Sequence, residues 1–143
     1  MPLIYYYDLA SQPCRALFIF LKMTGIPFQG KEMALRKLEH LTDEYAQINP
    51  FKKVPVIDDD GFILTERFAF VFGGNSFVSM ISFSRSVAIF MYLCDKYKKH
   101  DWYPIELKGR ARVNEYAHWQ HMNLRAMGSM LFRTKVRREK IFQ

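Results

Sequence analysis

Four residues, Ser11-Gln12-Pro13-Cys14, stand where a β-rich stretch hands over to a helical one. In a redox protein this junction would read C-x-x-C, two thiols that exchange a disulfide. Here the leading position is Ser11 and only the trailing Cys14 is a thiol, so a dithiol cycle is excluded. The chain's other cysteine, Cys94, adds neither a disulfide framework nor a metal-ligand spacing. Read locally, Ser11 is a plain N-cap. Cys14 reads as a residue packed on the helix's inner side, with a monothiol role as the sharper alternative.

The elements that must position these residues follow from local signals. "LIYYYDL" (3–9) is rich in β-formers and predicts a first strand. A helix follows from about Gln12, with Pro13 in its first turn, where a missing N–H does no harm. Ala16, Leu17, Phe20 and Met23 recur at helical spacing, and Gly25 with Pro27 marks the stop. "PFQGKEMAL" predicts a second, weaker strand, and "LEHLTDEYAQI" (38–48) a short helix closed by Asn49-Pro50. In "KKVPVIDDDGFILTE" (52–66), two apolar runs flank Asp60-Gly61, a hairpin signal. Pro55 opens the first run, as proline does at a strand start or edge. "SVAIFMYLCDKY" (86–97) predicts a helix with Ser86 as N-cap.

The order βαβ, then α, then a β-hairpin, then α describes an α/β, thioredoxin-like fold. It is a parallel pair extended by an antiparallel hairpin, with helices on both faces. This domain is expected over residues 1–99. "HDWYP" (100–104) reads as a linker. "IELKGRARVNEYAHWQHMNLRAM" (105–127) then predicts a long helix, with Val113, Tyr116, Gln120, Leu124 and Met127 near one stripe. It starts an all-α C-terminal domain, expected over 105–143.

Composition bounds the function. Half of the 143 residues are hydrophobic and 24% are charged, a globular balance. The start, "MPLIYYYD", lacks the basic and apolar regions of a secretory signal. Two cysteines point to a reducing compartment. The net charge of +7 is unevenly spread. Residues 1–66 hold seven Lys/Arg and nine Asp/Glu, whereas residues 67–143 hold fourteen and five. Much of the excess lies in "RTKVRREK" (133–140), the pattern of a solvated face or tail. No nucleic-acid-binding module accompanies it, so neither nucleic acid nor membrane is an expected partner. "RFAFVFGGNSFVSMISFSR" (67–85) does not fit the scheme. It is too short and too interrupted for a membrane span, and its uncharged Phe-rich runs have the profile of an aggregation-prone segment.

"DLASQPCRA", "INPFKKVP", "LTE…SVAIFMYL", "DWYP" and "RARVNEYAHWQH" together resemble the theta class of cytosolic glutathione transferases. The resemblance covers residues 3–66 and 86–127, about three quarters of the chain. Two departures accompany it. The family's Thr-Glu-Ser is split here between Glu66 and Ser86, and deleting 67–85 restores "LTESVAIFMYL". After about Met127 the pattern is lost, so the family's helical domain is expected to be truncated.

The resemblance implies a transferase that joins the thiol of glutathione to small electrophiles, halides and sulfate esters among them. Glutathione would be co-substrate, with no cofactor or metal, in the cytoplasm. A free thiol has a pKa near ~8.5 and is only a few per cent ionised at pH 7. Lowering that pKa by about two units takes roughly 2.7 kcal/mol of anion stabilisation. A donated hydroxyl supplies ~1.5–3 kcal/mol and a helix N-terminus ~0.3–1. The resemblance thus makes Ser11 the catalytic hydroxyl that keeps the substrate's thiol ionised. It implies a glutathione cradle of Gln12, His40, Leu41, Lys53, Val54, Pro55, Glu66 and Ser86. His40 and Lys53 would hold the glycine carboxylate. Val54, before a cis Pro55, would pair with the cysteinyl backbone. Glu66 would take the γ-glutamyl amine, and Ser86 with the N–H groups of its helix the γ-glutamyl carboxylate. Arg125 would face the electrophile's leaving group. Members of the class are homodimers, but a truncated helical domain removes half of the dimer contact. It also removes most of the electrophile pocket, which leaves an alternative: an impaired thioredoxin-like remnant that binds glutathione or a protein partner.

Overall fold

The computed structural model describes residues 2–65 and 86–120, with 123, 124, 127, 128, 130, 131 and 134 beyond them. It divides into two units, Met1–Trp102 and Tyr103–Gln143. The segment 67–85, Glu66 and Arg125 lie outside the described residues.

The first unit is thioredoxin-like. Strand β1 (Leu3–Tyr7) leads to helix α1 (Gln12–Thr24), which returns to strand β2 (Phe28–Glu32). β2 lies parallel to β1, with Leu3 opposite Phe28 and Tyr7 opposite Glu32. Strands β3 (Val56–Asp59) and β4 (Phe62–Thr65) follow, and the sheet order is β2-β1-β3-β4. β3 is antiparallel to both of its neighbours. The turn between β3 and β4 has positive φ at Asp60 (55°) and Gly61 (86°), the mirror-image geometry that matches strand twist. Gly30 is needed for a different reason. A Cβ there would stand 2.9 Å from Tyr7 Cε1. Its absence lets the Tyr7 ring stack on Tyr5, 4.9 Å between centroids, above β2.

Helix α1 ends as its sequence predicts. Gly25 adopts φ 67°, and the N–H groups of Gly25 and Ile26 return to the carbonyls of Lys22 and Leu21. The buried stripe is displaced from the expected one. Leu17 and Phe20 are buried together with Pro13, Cys14 and Leu21, while Ala16 and Met23 are exposed. The helix therefore faces the sheet with its 13/14–17–20/21 rows. The expected helix over 38–48 is shorter than predicted. Two 3-10 turns, Leu35–Lys37 and Glu39–Leu41, precede helix α2 (Asp43–Ile48). Thr42 is extended and its hydroxyl accepts from Tyr45 N at 3.3 Å, so the helix starts only after this cap. Helix α3 (Val87–Lys96) starts after Ser86, whose hydroxyl makes no capping bond.

In the second unit, helix α4 (Leu107–Gln120) opens on Glu106, whose carboxylate accepts from the N–H groups of Lys108 and Gly109. Of the predicted stripe, Val113 and Gln120 are half-buried, and Tyr116, Leu124 and Met127 are exposed. Tyr116 instead finds a neighbour on its own helix, Trp119, with centroids 6.1 Å apart.

One buried charge fastens α3 to the hairpin. Asp59, at the end of β3, is 6% exposed and accepts from the Tyr92 hydroxyl and the Lys96 ammonium. Burial alone would raise its pKa. The bonds from Lys96 and Tyr92 outweigh that and hold the carboxyl below its usual value. A depressed folded pKa contributes stability that is fully present above the unfolded value, about 3.9, and is lost as pH falls through the folded one. The difference in unfolding midpoint between the parent and Asp59→Asn should therefore be constant from pH 7 to about 5 and shrink below pH 4. Tyr92→Phe should cost about 1–2 kcal/mol at pH 7 in denaturant unfolding.

Candidate functional site

The turn from β1 into α1 is built by short bonds. Asp8 Oδ1 accepts from Ala10 N at 2.7 Å, and Ser11 N donates to Asp8 O at 2.9 Å. From the first helical turn, Arg15 Nη1 donates to the carbonyls of Leu9 (2.7 Å) and Ala10 (3.2 Å). Ser11 is the N-cap residue by backbone (φ −82°, ψ 121°), and its carbonyl accepts from Arg15 N at 3.0 Å. Its side chain makes no capping bond. The plain N-cap reading thus describes the backbone of Ser11 and not its hydroxyl, which lies against the Cys14 thiol.

Cys14 is fully buried, on the inner side of the helix. Burial raises its pKa, and the hydroxyl of Ser11, the backbone of Asp8 and the hydroxyl of Tyr5 do not offset it. A protonated, enclosed thiol is a poor nucleophile, so the packing reading describes Cys14 and the monothiol reading does not. Cys14 shares one cluster with Tyr6, Tyr45, Val54 and Val56. The head of α1 is thereby packed on the start of β3.

Just before that start lies the Val54–Pro55 step, whose peptide bond is cis. Val54 is 7% exposed. The carbonyl just before it, Lys53 O, accepts two bonds of 2.8 Å, from the Tyr45 hydroxyl and from Asn49 Nδ2. Asn49 is fully buried and organises the whole loop. Its Oδ1 accepts from Phe51 N at 3.1 Å and its carbonyl from Lys52 N at 2.9 Å. The sequence reads Asn49-Pro50 as a helix stop alone. Its local signal for more is an asparagine whose side chain can bond two residues on.

His40 and Leu41 lie on the second 3-10 turn, His40 half-buried and Leu41 exposed. Among the described residues, no partner meets the buried Nδ1 of His40. Lys52 Nζ donates to Leu41 O at 2.6 Å, which joins the His40 turn to the loop that carries Lys53. Lys53 and Gln12 are exposed, Gln12 at the first position of α1. Ser86 is half-buried and lines an apolar groove of about 240 Å³ between α1 and α3, with Ile19, Phe20, Met23, Phe90 and Trp102. None of Ser11, His40, Lys53 and Val54 lines this groove. The structure thus links the helix turn after Ser11 to Val54 through Cys14, and the His40 turn to the Lys53 loop through the bond from Lys52 to Leu41. Ser86 heads a different helix, and Glu66 and Arg125 lie outside the described residues. Among the described residues, no group of three His, Cys, Asp or Glu could hold a metal ion, and no helix is long and apolar enough to cross a membrane.

The family model for the glutathione S-transferase N-terminal domain matches residues 1–70. Glutathione S-transferase theta-1 of Rattus norvegicus is 50% identical over 126 residues, 87% of this chain and 45% of that protein. Human glutathione-S-transferase T1-1 in its apo form aligns with a TM-score of 0.68 at 47% identity, over 86% of this chain and 44% of that one. This chain belongs to the theta class of glutathione S-transferases. A human theta-class transferase, solved in complex with the glutathione conjugate of 1-menaphthyl sulfate, aligns with a TM-score of 0.68 at 40% identity. That alignment covers 84% of this chain and 42% of the other. The chain spans less than half the length of the curated relatives it matches.

In this theta-class chain, Asn49 carries the loop that leads to Val54. Asn49→Ala would remove the Oδ1 acceptor that meets the Phe51 N–H and one of the two donors to Lys53 O. A loss of about 2–3 kcal/mol in denaturant unfolding is expected. Tyr45→Phe, which removes only the second donor, should cost less, roughly 1 kcal/mol.

Proposed function

We propose that this chain binds glutathione and transfers its thiolate to small electrophiles, with halides and sulfate esters as the substrate class. The observation that carries the reading is the Ser11 hydroxyl, at the head of α1 and not used as a cap, on a helix whose first turn packs through Cys14 against Val54, the residue before the cis Pro55. A thiolate presented there would receive one donated hydroxyl and the field of a 13-residue helix. The bound thiol gives its proton to solvent. The sulfur lone pair then forms the new S–C bond, and the leaving group departs with the electrons of the bond that breaks.

The remaining roles follow the class. Val54 would offer its backbone to the cysteinyl residue, a one-residue strand addition. His40, whose Nδ1 meets no partner among the described residues, would hold the glycine end together with Leu41 and Lys53. Gln12, Glu66 and Ser86 would hold the γ-glutamyl end, and Arg125 the leaving group. Glutathione is then a co-substrate and no further cofactor is needed. A cytoplasmic site of action and a detoxifying role belong to the same reading, whereas the homodimer of the class is not carried over to a chain that spans less than half the length of its relatives.

The test is a glutathione titration of the unfolding midpoint, followed by turnover of a small alkyl halide. A ligand that binds only the folded chain raises the midpoint. Ser11→Ala should lower kcat/KM by about ten- to a hundredfold, the rate equivalent of one charge-assisted hydrogen bond. Its pH–rate profile should move to higher pH, because the thiol loses a group that favours its ionised form. Binding without turnover in the parent would replace the transferase reading with that of a glutathione-binding module. No midpoint shift would sink both.

A further inference from the structure

The Asp8 carboxylate bridges two segments that the proposed site needs in register. Oδ1 accepts from Ala10 N at 2.7 Å, within the loop that delivers Ser11. Oδ2 accepts from Leu35 N at 2.8 Å, 27 residues along the chain. Leu35 opens the first 3-10 turn, and its side chain packs against the cluster that holds Cys14 and Val54. The next turn carries His40, and the two turns are locked together by a bond from Ala34 N to Glu39 Oε2 at 2.8 Å. One side chain therefore sets the spacing between the Ser11 loop and the His40 turns.

Charge makes the placement informative. An anion on the residue three before Ser11 opposes a second anion nearby, so on electrostatics alone it raises the pKa of a thiol bound at Ser11. Geometry argues the other way, because both N–H groups need an acceptor and only a carboxylate offers two oxygens. An asparagine has one acceptor oxygen, and its NH2 would face a second donor.

We infer that Asp8 is a positioning residue for the transferase site, holding the Ser11 hydroxyl and the glycine-end turn at the separation that glutathione spans. This inference rests on the glutathione reading above. It predicts a sign that the charge effect alone would reverse. If Asp8 acts by position, neutralising it raises the thiol pKa of bound glutathione; if it acts only by charge, neutralising it lowers that pKa.

The experiment titrates the thiolate absorbance of bound glutathione in the full chain and measures glutathione affinity for the parent, Ser11→Ala, Asp8→Asn and Asp8→Ser. Serine preserves the local turn, since its hydroxyl can still accept from Ala10 N, but it does not reach Leu35. It keeps the test open should Asp8→Asn fail to fold. The expected result is a thiol pKa higher by about 1 in both Asp8 variants and a glutathione affinity about tenfold weaker. A lower thiol pKa overturns the inference. So does an unchanged thiol pKa and affinity with only a lower unfolding midpoint, the mark of a merely structural residue. If the parent itself binds no glutathione, the glutathione reading and the inference fall together. If the parent binds and responds to Ser11→Ala while the Asp8 variants do not differ from it, the inference falls alone.

Discussion

The burial of Cys14 is the constraint on which the proposed site depends. Its side chain is completely enclosed and packs with Tyr6 from β1, Tyr45 from α2 and Val54 and Val56 at β3. The strand just before the helix and two elements distant in sequence meet at one small residue in the first turn of α1. Interiors pack closely, so a change of even one methylene at such a point is felt by every neighbour. The Tyr5 hydroxyl adds direction, donating to the Cys14 carbonyl at 2.8 Å from beneath the helix. That seated turn carries Ser11 at the helix head and packs against Val54 before β3. The thiol that would do chemistry in a redox protein here acts as a space-filling anchor.

The polar groups around this anchor have a common economy. Backbone groups that the regular elements leave unpaired are met by side chains from nearby turns. Asp8 meets the N–H groups of Ala10 and Leu35, Asn49 meets the N–H of Phe51, and Tyr45 and Asn49 both meet the carbonyl of Lys53. Buried polar groups left unmatched are expensive. Each of these side chains therefore fixes a loop conformation that sequence propensity alone would leave open. The Ser11 hydroxyl and His40 Nδ1 are the exceptions to this pattern at the site: one does not cap its helix and the other has no described partner. Both carry roles in the glutathione reading.

Local signals made much of the fold legible. The glycine stop at Gly25, the Asp60-Gly61 turn and the proline at the head of β3 each act through backbone geometry that a single residue controls. The start of α2 was misplaced because the cap at Thr42 competes with a helical pattern that runs through it. The exposure of Ala16 and Met23 was hidden for a related reason: helical spacing finds a stripe but not which of two overlapping stripes meets the sheet. Ser11 was readable as a helix head from local sequence, and as a catalytic hydroxyl only through the family resemblance. The link from Asp8 to Leu35 was not readable at all. It spans 27 residues, and neither residue type announces a partner at that distance.

The fastening of α3 to β3 has a consequence for the connection between them. Asp59 binds Tyr92 and Lys96 directly, so the hairpin and the helix recognise each other by their own side chains. Ile89, Leu93 and Cys94 add an apolar face that is fully buried. Joining two such elements through a longer strand of chain costs only about 0.6 kcal/mol for each doubling of its length. Asp59, Tyr92 and Lys96 thus carry in their own side chains what seats α3 on the hairpin. Such a contact between β3 and α3 depends far more on the three residues that make it than on the length of chain that joins the two elements.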